Sequence, residues 1–495
     1  MIVDKVTGEL HKSWTVKDLT NTWWHTIVNS EDQLRQRIAH VLSQIFVVGT
    51  VQQTARQDYV RLAYYDLLVK NAFGNYRELL NDVTMSPIMA SYLTMINNKK
   101  GDPNIGSHPD ENFAREVMQL FTIGLEKLNL DGSPLLDQYS QAIPTYIQAD
   151  IEGLAKVFTG LTYSKEERFQ NPDNIRKPLV FARRYGTRKE HLIGVHTVPM
   201  ICMESHHDKS EKHIVNDTIL SEGQTCQEDI DSALDTLFNH DTLPPFFAKQ
   251  MIQKLVTSNP SKSYIARVAN QFVNNGYGVR GDMKAVIRAI LLDEEARASA
   301  GTYLNFGKFK EPIIRASTFA KIFHVTANVE YPTKNPFPNG GQLFFRAPSV
   351  FNYFRPDYTI GSDLISENLV VPELEISDAS NVTSINNGYH WMIFNANFAK
   401  NASATAKRLQ NRYYINLSHE LELAMHSTDE LIEHLNLVLL NGTMSKEYKL
   451  SINSYIESLP IKPTYSKSRS TKMYRKRVTH AIYIIMSSSS QKYLY

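Results

Sequence analysis

Apolar side chains recur at helical spacing through most of the chain. In residues 31–48 and 58–72 they fall about every three or four positions, which places them on one face of a helix. The same spacing returns in residues 76–83, 87–96, 227–238, 244–256, 263–273, 282–292, 311–323, 428–440, 446–459 and 471–486. The pattern predicts a mainly α protein with a multi-helix body and a smaller C-terminal helical part.

Residues 171–223 interrupt this pattern. The helical periodicity disappears there, Pro, Arg and His accumulate, and short β-like runs occur at residues 179–181 and 192–195. We therefore expect an irregular, partly β insertion in the helical body. The predicted organisation is an N-terminal helical region (1–170), the His-rich insertion (171–223), a central helical region (224–325), a Pro/Gly-rich and mixed segment (326–400) and a C-terminal helical region with a basic tail (401–495).

The composition is that of a globular protein. The chain has 495 residues, more than one compact core usually holds, and 42% of them are apolar and 21% charged. A disordered, collagen-like or coiled-coil chain would depart from these values. No apolar run approaches the roughly 20 residues of a membrane-spanning helix. The sequence therefore predicts no membrane span.

Basic charge is concentrated at the C-terminal end. After Glu457 there are eight Lys or Arg and no Asp or Glu, whereas the preceding residues hold 45 basic and 51 acidic residues, a net charge of −6. Such a tail could bind a polyanion, either a polysaccharide or, less readily, a nucleic acid. Its apolar residues are also at helical spacing, and they favour a helix that packs on the body: Tyr474, Val478, Ala481, Ile482 and Ile485. The packed helix is the favoured interpretation.

The cysteines and the N-terminal residues bear on the compartment. Cys202 and Cys226 are too few for a tetrahedral sulfur site and do not resemble a disulfide framework. One bridge in an oxidising compartment and two unpaired thiols are the alternatives, and the unpaired thiols are favoured. The first residues include acids and no apolar core, so they do not form a secretory signal peptide. A cytoplasmic protein and a chain that lacks its export segment both fit this observation.

The most distinctive local pattern is the run of residues 107–122. Ser107 and Asp110 fit a capping box at its start. On a helical wheel one side is polar, and it comprises Glu111, Asn112, Arg115, Glu116, Gln119 and Thr122. Glu111 and Arg115, at i and i+4, can form an ion pair. The array forms either a solvated helix face or the lining of a pocket. In a pocket, Glu116 is an acid, base or metal ligand. The residues that would bind substrate there are Glu111, Asn112 and Arg115.

A second polar cluster lies in the insertion. Residues 204–213 contain three His together with acidic and basic residues. Imidazole beside carboxylate suits a general base or a metal site, so His207 and Asp208 form the candidate catalytic pair and Lys212 a candidate substrate-binding group. The spacing matches no specific metal motif, and adjacent side chains of a strand point to opposite faces. A polar surface loop is the favoured interpretation, followed by the His–Asp pair and then by a metal site.

Two further candidates for substrate binding lie in turns before helices. His240 precedes two prolines at a predicted helix start, which favours a capping role in which its ring bonds a backbone group. Arg280 lies in a Gly-rich turn that lacks the Gly-Lys-Ser/Thr ending of a phosphate loop. Asp282 as a helix N-cap explains this turn better. The sequence contains none of the common hydrolase or zinc signatures, and it names no cofactor.

Several ordered strings resemble one known family. They are DQLRQRIA from residue 32, ENFARE from residue 111, LFTIG from residue 120, HD from residue 207 with Lys212, FNH from residue 238, GVRGD from residue 278 and APSVFN from residue 347. Together they resemble the bacterial family catalogued as domain of unknown function 1800, from about residue 23 to residue 485. The resemblance implies a bacterial, largely helical and commonly exported protein, periplasmic or extracellular, often encoded beside a family related to sulfatases. It implies no reaction.

The first hypothesis of function is an enzyme. In it, the polar helix face and the insertion cluster line one pocket for a polar or anionic substrate. Arg115, Lys212 and Arg280 bind the anion, and His207, oriented by Asp208, moves the proton. A metal-assisted form is a narrower version, because Glu111, Glu116, His207 and Asp208 are hard or borderline ligands that suit Mg, Ca, Mn or Zn.

The second hypothesis is a noncatalytic exported scaffold that binds a partner protein. In it, the same charged residues form buried ion pairs that lock the helix to the insertion. The two hypotheses differ in a property that a structure can report. If the polar helix face, the insertion cluster and the turn with Arg280 lie far apart in the fold, the enzyme hypothesis fails. If they converge but leave no cavity, the scaffold hypothesis gains support.

Overall fold

A computed structural model describes residues 16–49, 58–164, 197–298, 302–303, 305–327, 340–395, 397–398, 413–488 and 493–494. The predicted β-like runs at residues 179–181 and 192–195 lie outside these residues. In the described part of the chain α-helices dominate and the strands are short, so the mainly α prediction is confirmed. None of the described helices is long and apolar enough to cross a membrane.

Helices follow one another along both halves of the chain. The first are α1 (Val16–Asn29), α2 (Gln33–Ile45), α3 (Asp58–Asn71), α4 (Tyr76–Thr84), α5 (Pro87–Tyr92), α6 (Asn112–Glu116) and α7 (Gln148–Val157). They are followed by α8 (Cys226–Asn239), α9 (Leu243–Leu255), α10 (Lys262–Val273), α11 (Met283–Leu292) and α12 (Pro312–Ile322). The last are α13 (Ser362–Ser366), α14 (Ala379–Phe394), α15 (Ser418–His426), α16 (Thr428–Leu440), α17 (Lys446–Ser458) and α18 (Lys467–Ser487).

Periodicity located many of these helices well. The helix predicted over residues 428–440 coincides with α16. The helix predicted over 227–238 is one residue shorter than α8 at each end, and that over 263–273 begins one residue after α10. The helix predicted over residues 87–96 is too long, because Thr94 and Asn97 adopt left-handed φ angles of 58° and 61°.

The strands are two or three residues long and pair locally. Antiparallel pairs join β1 (Leu161–Thr162) to β2 (Ile201–Cys202), β3 (Lys212–Ile214) to β4 (Thr218–Leu220), and β5 (Lys308–Phe309) to β9 (Tyr493–Leu494). A three-stranded sheet has the order β6 (Thr326–Ala327), β8 (Tyr413–Ile415), β7 (Asn397–Phe398), with β7 and β8 parallel. The turn between β3 and β4 places Asn216 and Asp217 at φ angles of 61° and 53°, which suits the tight hairpin.

The chain divides into two compact units. The first comprises Met1–Leu19, Asp32–Leu304 and Phe345–Asn352, and the second comprises Thr20–Glu31, Asn305–Phe344 and Tyr353–Tyr495. The five regions predicted from the sequence stay a prediction.

An aromatic cluster forms the centre of the first unit. The ring of Tyr76, fully buried, has its centroid 4.5 Å from that of Phe247 and 5.5 Å from that of Phe272. The Tyr76 hydroxyl donates to the carbonyl oxygen of Phe121. These residues belong to α4, α9, α10 and the segment after α6, so one cluster fixes the positions of four elements.

The core of the second unit includes the C-terminal helix. Helix α18 buries its apolar face there, and the residues concerned are Val478, Ala481, Ile482, Ile485 and Met486. The packed helix predicted for the basic tail is therefore confirmed. Lys467, Lys472 and Lys476 of the same helix are exposed.

Candidate functional site

Helix α6 is short because the chain changes its helical type at Glu116. Residues Val117–Thr122 form a π-helix, in which the Ile123 N–H donates to the Met118 carbonyl at 2.9 Å. A π-segment inside a helix is rare and is frequently found at functional sites. The helix predicted over residues 107–122 therefore begins only at Asn112, and it consists of a short α-helix followed by a π-segment.

The predicted capping box at the start of this helix is wrong. The Ser107 hydroxyl accepts from the Asp102 N–H at 3.0 Å instead of from the helix. The Asp110 carboxylate accepts from the Asn112 N–H and from the Thr94 hydroxyl, each at 2.9 Å. Asp110 therefore ties the helix start to the loop after α5, and Asn112 is exposed beside it.

Glu116 has the most unusual environment of the candidate residues. Its side chain is half-buried, and among the described residues its buried Oε2 atom has no hydrogen-bond partner. Burial raises the pKa of Glu116 above its ordinary value, and the positive charge of Arg115 partly opposes this shift. A carboxyl in this setting binds a proton more tightly than an exposed one does.

Two tyrosines share the electrostatic environment of Glu116. Burial raises the pKa of Tyr92, and the negative charge of Glu116 adds to this shift. Burial also raises the pKa of Tyr146, where Glu116 again adds to the shift and Arg115 opposes it. Tyr146 donates to Gln119 at 3.5 Å. A carboxyl and two phenols are therefore close enough to influence one another's ionisation.

The Tyr92 ring fits against a glycine. A Cβ atom at Gly49 would be 3.0 Å from the Tyr92 hydroxyl and 2.8 Å from the carbonyl oxygen of Ala347. Any larger residue at position 49 would have to displace the ring. The absence of a side chain there lets Tyr92 keep its place near Glu116.

Polar side chains extend this group toward solvent. Arg115 pairs with Glu111 at 3.4 Å, which confirms the predicted i,i+4 ion pair. Gln148, the first residue of α7, donates to the same Glu111 oxygen at 3.1 Å. Because the Arg115 and Glu111 side chains are 41% and 36% exposed, a bound molecule can reach them. We call Glu116, Arg115, Glu111, Tyr92 and Tyr146 the Glu116 site.

His207 is not part of this site. Its ring is fully buried, with Nε2 bonded to Asp229 Oδ2 at 2.8 Å and Nδ1 lying 3.0 Å from the Thr159 carbonyl oxygen. Lys212 is buried too, and its Nζ atom lies 2.6 Å from the same Asp229 oxygen and 2.9 Å from the Ser210 carbonyl oxygen. We call His207, Asp229 and Lys212 the buried ionic triad.

The predicted pairing of His207 with Asp208 is wrong. The Asp208 carboxylate accepts from the backbone N–H of Ser210 at 2.9 Å and from its hydroxyl at 2.6 Å. Burial by itself raises the pKa of Asp208, but the Ser210 hydrogen bonds together lower it below its ordinary value. Asp208 therefore shapes the turn that follows His207, and adjacent side chains of an extended segment point apart.

His240 and Arg280 hold the turn between α8 and α9. His240 is buried, and its Nδ1 atom accepts from the Thr242 N–H at 3.1 Å, which confirms the predicted capping role. Arg280 donates to the carbonyl oxygens of Phe238 at 2.9 Å and His240 at 3.1 Å. Asp282 is the N-cap of α11, as predicted. These contacts give neither His240 nor Arg280 a role toward a substrate.

Sequence reasoning missed Asp229, Tyr92 and Tyr146. Asp229 could have been found, because it lies on the apolar face of α8 with Cys226, Ile230, Ala233 and Leu237. An acid on a buried face requires a buried partner, and that requirement points to a cation elsewhere in the chain. Nothing comparable marks Tyr92 or Tyr146, since tyrosine is common at half-buried positions.

The cysteines are joined. Cys202 in β2 and Cys226 at the start of α8 form a disulfide, with their Cα atoms 5.9 Å apart. The favoured expectation of two unpaired thiols is therefore wrong. The disulfide therefore ties β2 to the start of the helix that carries Asp229.

The part of the chain that the structure describes contains no set of ligands for a metal ion. No group of three or more His, Cys, Asp or Glu side chains is arranged there to hold an ion. Of the residues considered for a metal, His207 and Asp208 are bonded to other protein groups and Glu111 to Arg115 and Gln148.

Comparison with known proteins gives the family. No curated protein and no solved structure matches the chain. Residues 7–492, nearly the whole chain, match the family described as Protein of unknown function (DUF1800). The chain belongs to this DUF1800 family.

Proposed function

We propose that the protein is an acid/base enzyme for a polar or anionic substrate, with Glu116 as the group that moves the proton. The observation that carries this proposal is the buried, unbonded Oε2 atom of a carboxyl that is otherwise half open to solvent. A structural carboxylate normally satisfies its oxygens by hydrogen bonds or ion pairs. A carboxyl that leaves one free is available to a substrate.

The electrostatics of the Glu116 site support this role. Efficient proton transfer requires a pKa near the working pH, and burial moves the pKa of Glu116 in that direction. Tyr92 and Tyr146 supply hydroxyl groups nearby, and both stay protonated because their pKa values are raised. A protonated phenol can donate a hydrogen bond to negative charge that develops on a substrate.

The half-exposed charges of the site would select the substrate. Arg115 can bind a carboxylate, phosphate or sulfate group through its planar guanidinium, in exchange for its long contact with Glu111. Glu111 and Gln148 offer acceptors and donors for hydroxyl or amide groups. These features favour a polar, negatively charged substrate over an apolar one.

The buried ionic triad has a positioning role in this proposal. Its Asp229 fixes His207 and Lys212, and His207 in turn contacts Thr159, two residues after α7 ends. Helix α7 begins with Gln148, which bonds Glu111. The triad therefore supports the helix that supplies one wall of the Glu116 site.

A pair of matched variants tests the proposal. Wild type, Glu116→Gln and Glu126→Gln are incubated with a panel of phosphate, sulfate and carboxylate esters, glycosides and peptides, and the products are measured by mass spectrometry. Glu126 is an exposed acid and serves as the control. We expect turnover of an anionic substrate that falls by roughly 100-fold or more in Glu116→Gln and is unchanged in Glu126→Gln. Equal turnover in the two variants would exclude Glu116 as the acid or base.

A noncatalytic scaffold is the second candidate function. It is favoured by the complete burial of His207, Lys212 and Asp229, whose ion pairs join the insertion to α8 instead of to the helix that carries Glu116. The partner would be another exported protein, and the resemblance points to a sulfatase-related one. The activity panel separates the two candidates, since a scaffold gives no product with any substrate.

We further propose that the protein works outside the cytoplasm. The disulfide between Cys202 and Cys226 supports this location, because disulfides form and persist mainly in oxidising compartments. Fractionation of cells that express the full-length natural gene tests it. Recovery of the protein only with cytoplasmic markers would contradict the proposal.

A further inference from the structure

Two buried groups of the ionic triad contact the same oxygen atom of Asp229. Its Oδ2 atom lies 2.6 Å from the Lys212 amine and 2.8 Å from Nε2 of His207. None of the three side chains has surface exposed to solvent. An amine is a nucleophile, a carboxyl carbon is an electrophile, and an imidazole can move protons between them. The triad therefore holds, away from water, the three groups that formation of an amide bond requires.

The partners of His207 indicate where the protons lie. Its Nδ1 atom is 3.0 Å from the Thr159 carbonyl oxygen, which can only accept a hydrogen bond, so Nδ1 carries a proton. Nε2 of the neutral ring then accepts a proton from the Asp229 carboxyl. Transfer of one proton from the Lys212 ammonium to Asp229 produces this arrangement and leaves a neutral amine. Burial favours the transfer, because it removes two charges from a region without water.

The Lys212 amine lies within reach of the carboxyl carbon of Asp229. Cγ is bonded to Oδ2 over about 1.2 Å, so it lies no more than about 4 Å from the amine nitrogen, which is 2.6 Å from Oδ2. Groups held about 3–3.5 Å apart in a fixed orientation react far faster than the same groups free in solution. Exclusion of water also protects the product from hydrolysis.

The surroundings of the triad suit an amide as well as they suit an ion pair. The N–H of an amide at Lys212 would donate to the Ser210 carbonyl oxygen, which lies 2.9 Å from Nζ. The Oδ1 atom of Asp229 is buried, and in the described residues it has no hydrogen-bond partner. It would become the carbonyl oxygen of the amide. Burial without a partner costs a neutral carbonyl oxygen less than it costs a carboxylate oxygen.

We infer that Lys212 and Asp229 form an intramolecular isopeptide bond. Nζ attacks Cγ, a C–N bond forms, and the bond between Cγ and Oδ2 breaks. His207 accepts a proton from Nζ and delivers it to Oδ2, which leaves as water. An ammonium and a carboxylate thus give one amide and one water molecule, and the reaction needs no oxidant, nucleotide or metal.

The isopeptide bond would join β3 to α8 covalently. The disulfide joins β2 to the start of the same helix, so two covalent links would hold this segment, and only one of them could be broken by a reductant. The bond involves no residue of the Glu116 site. The inference therefore does not depend on the proposed enzymatic function.

Peptide mass spectrometry of the wild-type protein tests the inference. The full-length protein is reduced, alkylated and digested with trypsin. Because an amide at Lys212 prevents cleavage after this residue, we expect residues 210–249 as one peptide that is lighter by one water molecule than its sequence. Hydroxylamine should leave this mass unchanged, whereas it would open a succinimide formed by dehydration of an aspartate. Complete cleavage after Lys212, or full mass of the uncleaved peptide, would overturn the inference.

Two variants assign the loss of water to Lys212. Lys212→Arg keeps a cation at this position, but a guanidinium does not attack a carboxyl carbon, so we expect no loss of water. Lys209→Arg changes a half-exposed lysine of the same loop and should keep the full loss. Loss of water that persists in Lys212→Arg would contradict the isopeptide bond. The wild-type peptide gives the answer even where Lys212→Arg does not fold.

His207→Gln tests the transfer of the proton. The wild type and this variant are made by cell-free synthesis under oxidising conditions, and the fraction of cross-linked peptide is followed in time. We expect the variant to form the isopeptide bond roughly 100-fold more slowly than the wild type. The disulfide between Cys202 and Cys226 should form in both, which shows that the segment has folded. Equal rates of cross-linking would overturn the role of His207.

Discussion

Gly153 lies so close to His213 that a Cβ atom at position 153 would be 1.8 Å from the His213 carbonyl oxygen. No pair of non-bonded atoms can approach to this distance, so α7 and β3 meet backbone to backbone. Lys212, the residue before His213, reaches Asp229 from this strand. The contact at Gly153 therefore helps to set the position of the buried ionic triad.

Replacement of this glycine tests the contact. Gly153→Ala forces α7 and β3 apart, and we expect it to lower the free energy of unfolding by about 3 kcal/mol. Gly74→Ala is the control, because a Cβ atom there meets nothing closer than 3.6 Å. Urea denaturation of both variants measures the difference. Equal stability of the two would mean that the strand does not press against the helix.

The triad itself should be costly to break. Asp229→Asn removes the negative charge that pairs with Lys212, and it leaves the Lys212 ammonium buried without an ion pair. We expect a loss of about 3–5 kcal/mol in the free energy of unfolding. The exposed Glu222→Gln, measured in the same guanidinium titration, should match the wild type. A loss below about 1 kcal/mol in Asp229→Asn would contradict full burial of the triad.

Glu116 should make stability depend on pH in a known direction. Because its pKa is raised in the folded protein, the folded state binds the proton more tightly than the unfolded state, in which the value is near 4.5. This contribution is complete below the unfolded pKa and is lost as the pH rises through the folded pKa. The Gln side chain of Glu116→Gln does not titrate. The melting temperature of this variant should therefore rise relative to that of the wild type as the pH is raised from 4 to 7. Glu126→Gln should show no such gain, and a parallel pH profile for wild type and Glu116→Gln would place the Glu116 carboxyl in ordinary solvent.

Arg477 should contribute to stability although it lies in the basic tail. Its guanidinium donates to the carbonyl oxygen of Leu459 at 2.8 Å and 3.1 Å and to that of Glu457 at 3.1 Å, where α17 ends. These carbonyls have no partner within their own helix. We expect Arg477→Gln to cost about 1–2 kcal/mol and the exposed Lys476→Gln to cost nothing measurable, by thermal unfolding. Equal melting temperatures would mean that water satisfies these carbonyls equally well.

The sequence predicted the positions of the helices better than it predicted which buried charged side chains bond to one another. Amphipathic periodicity is a local property, and it gave α16 residue for residue. The partner of a buried charge is set by tertiary packing. The ring of His207 bonds Asp229, 22 residues away, whereas the sequence suggested the adjacent Asp208. Only the apolar face of α8, on which Asp229 stands out, contained information about this pair.

The helical wheel failed at one identifiable point. It placed Thr122 on the polar side near Arg115, but Thr122 is fully buried. Hydrogen bonds of the π type, from residue i+5 to residue i, advance the chain differently from the α-turns that the wheel assumes. Nothing in the apolar pattern of residues 111–122 signals that change, so Glu116 could be proposed from the sequence but its surroundings could not.

The π-segment after Glu116 gives a way to compare relatives without their structures. A relative with one residue fewer between the counterparts of Glu116 and Gly124 could continue the α-helix without a bulge. A π-turn holds one residue more than an α-turn, so the deletion would leave the positions on either side of it close to their present faces of the helix. Such a relative could keep the counterparts of Glu116 and Phe121 in their present orientations without a π-segment. The number of residues in this interval therefore indicates which relatives contain the π-segment, and a relative without it could still form a site around the glutamate.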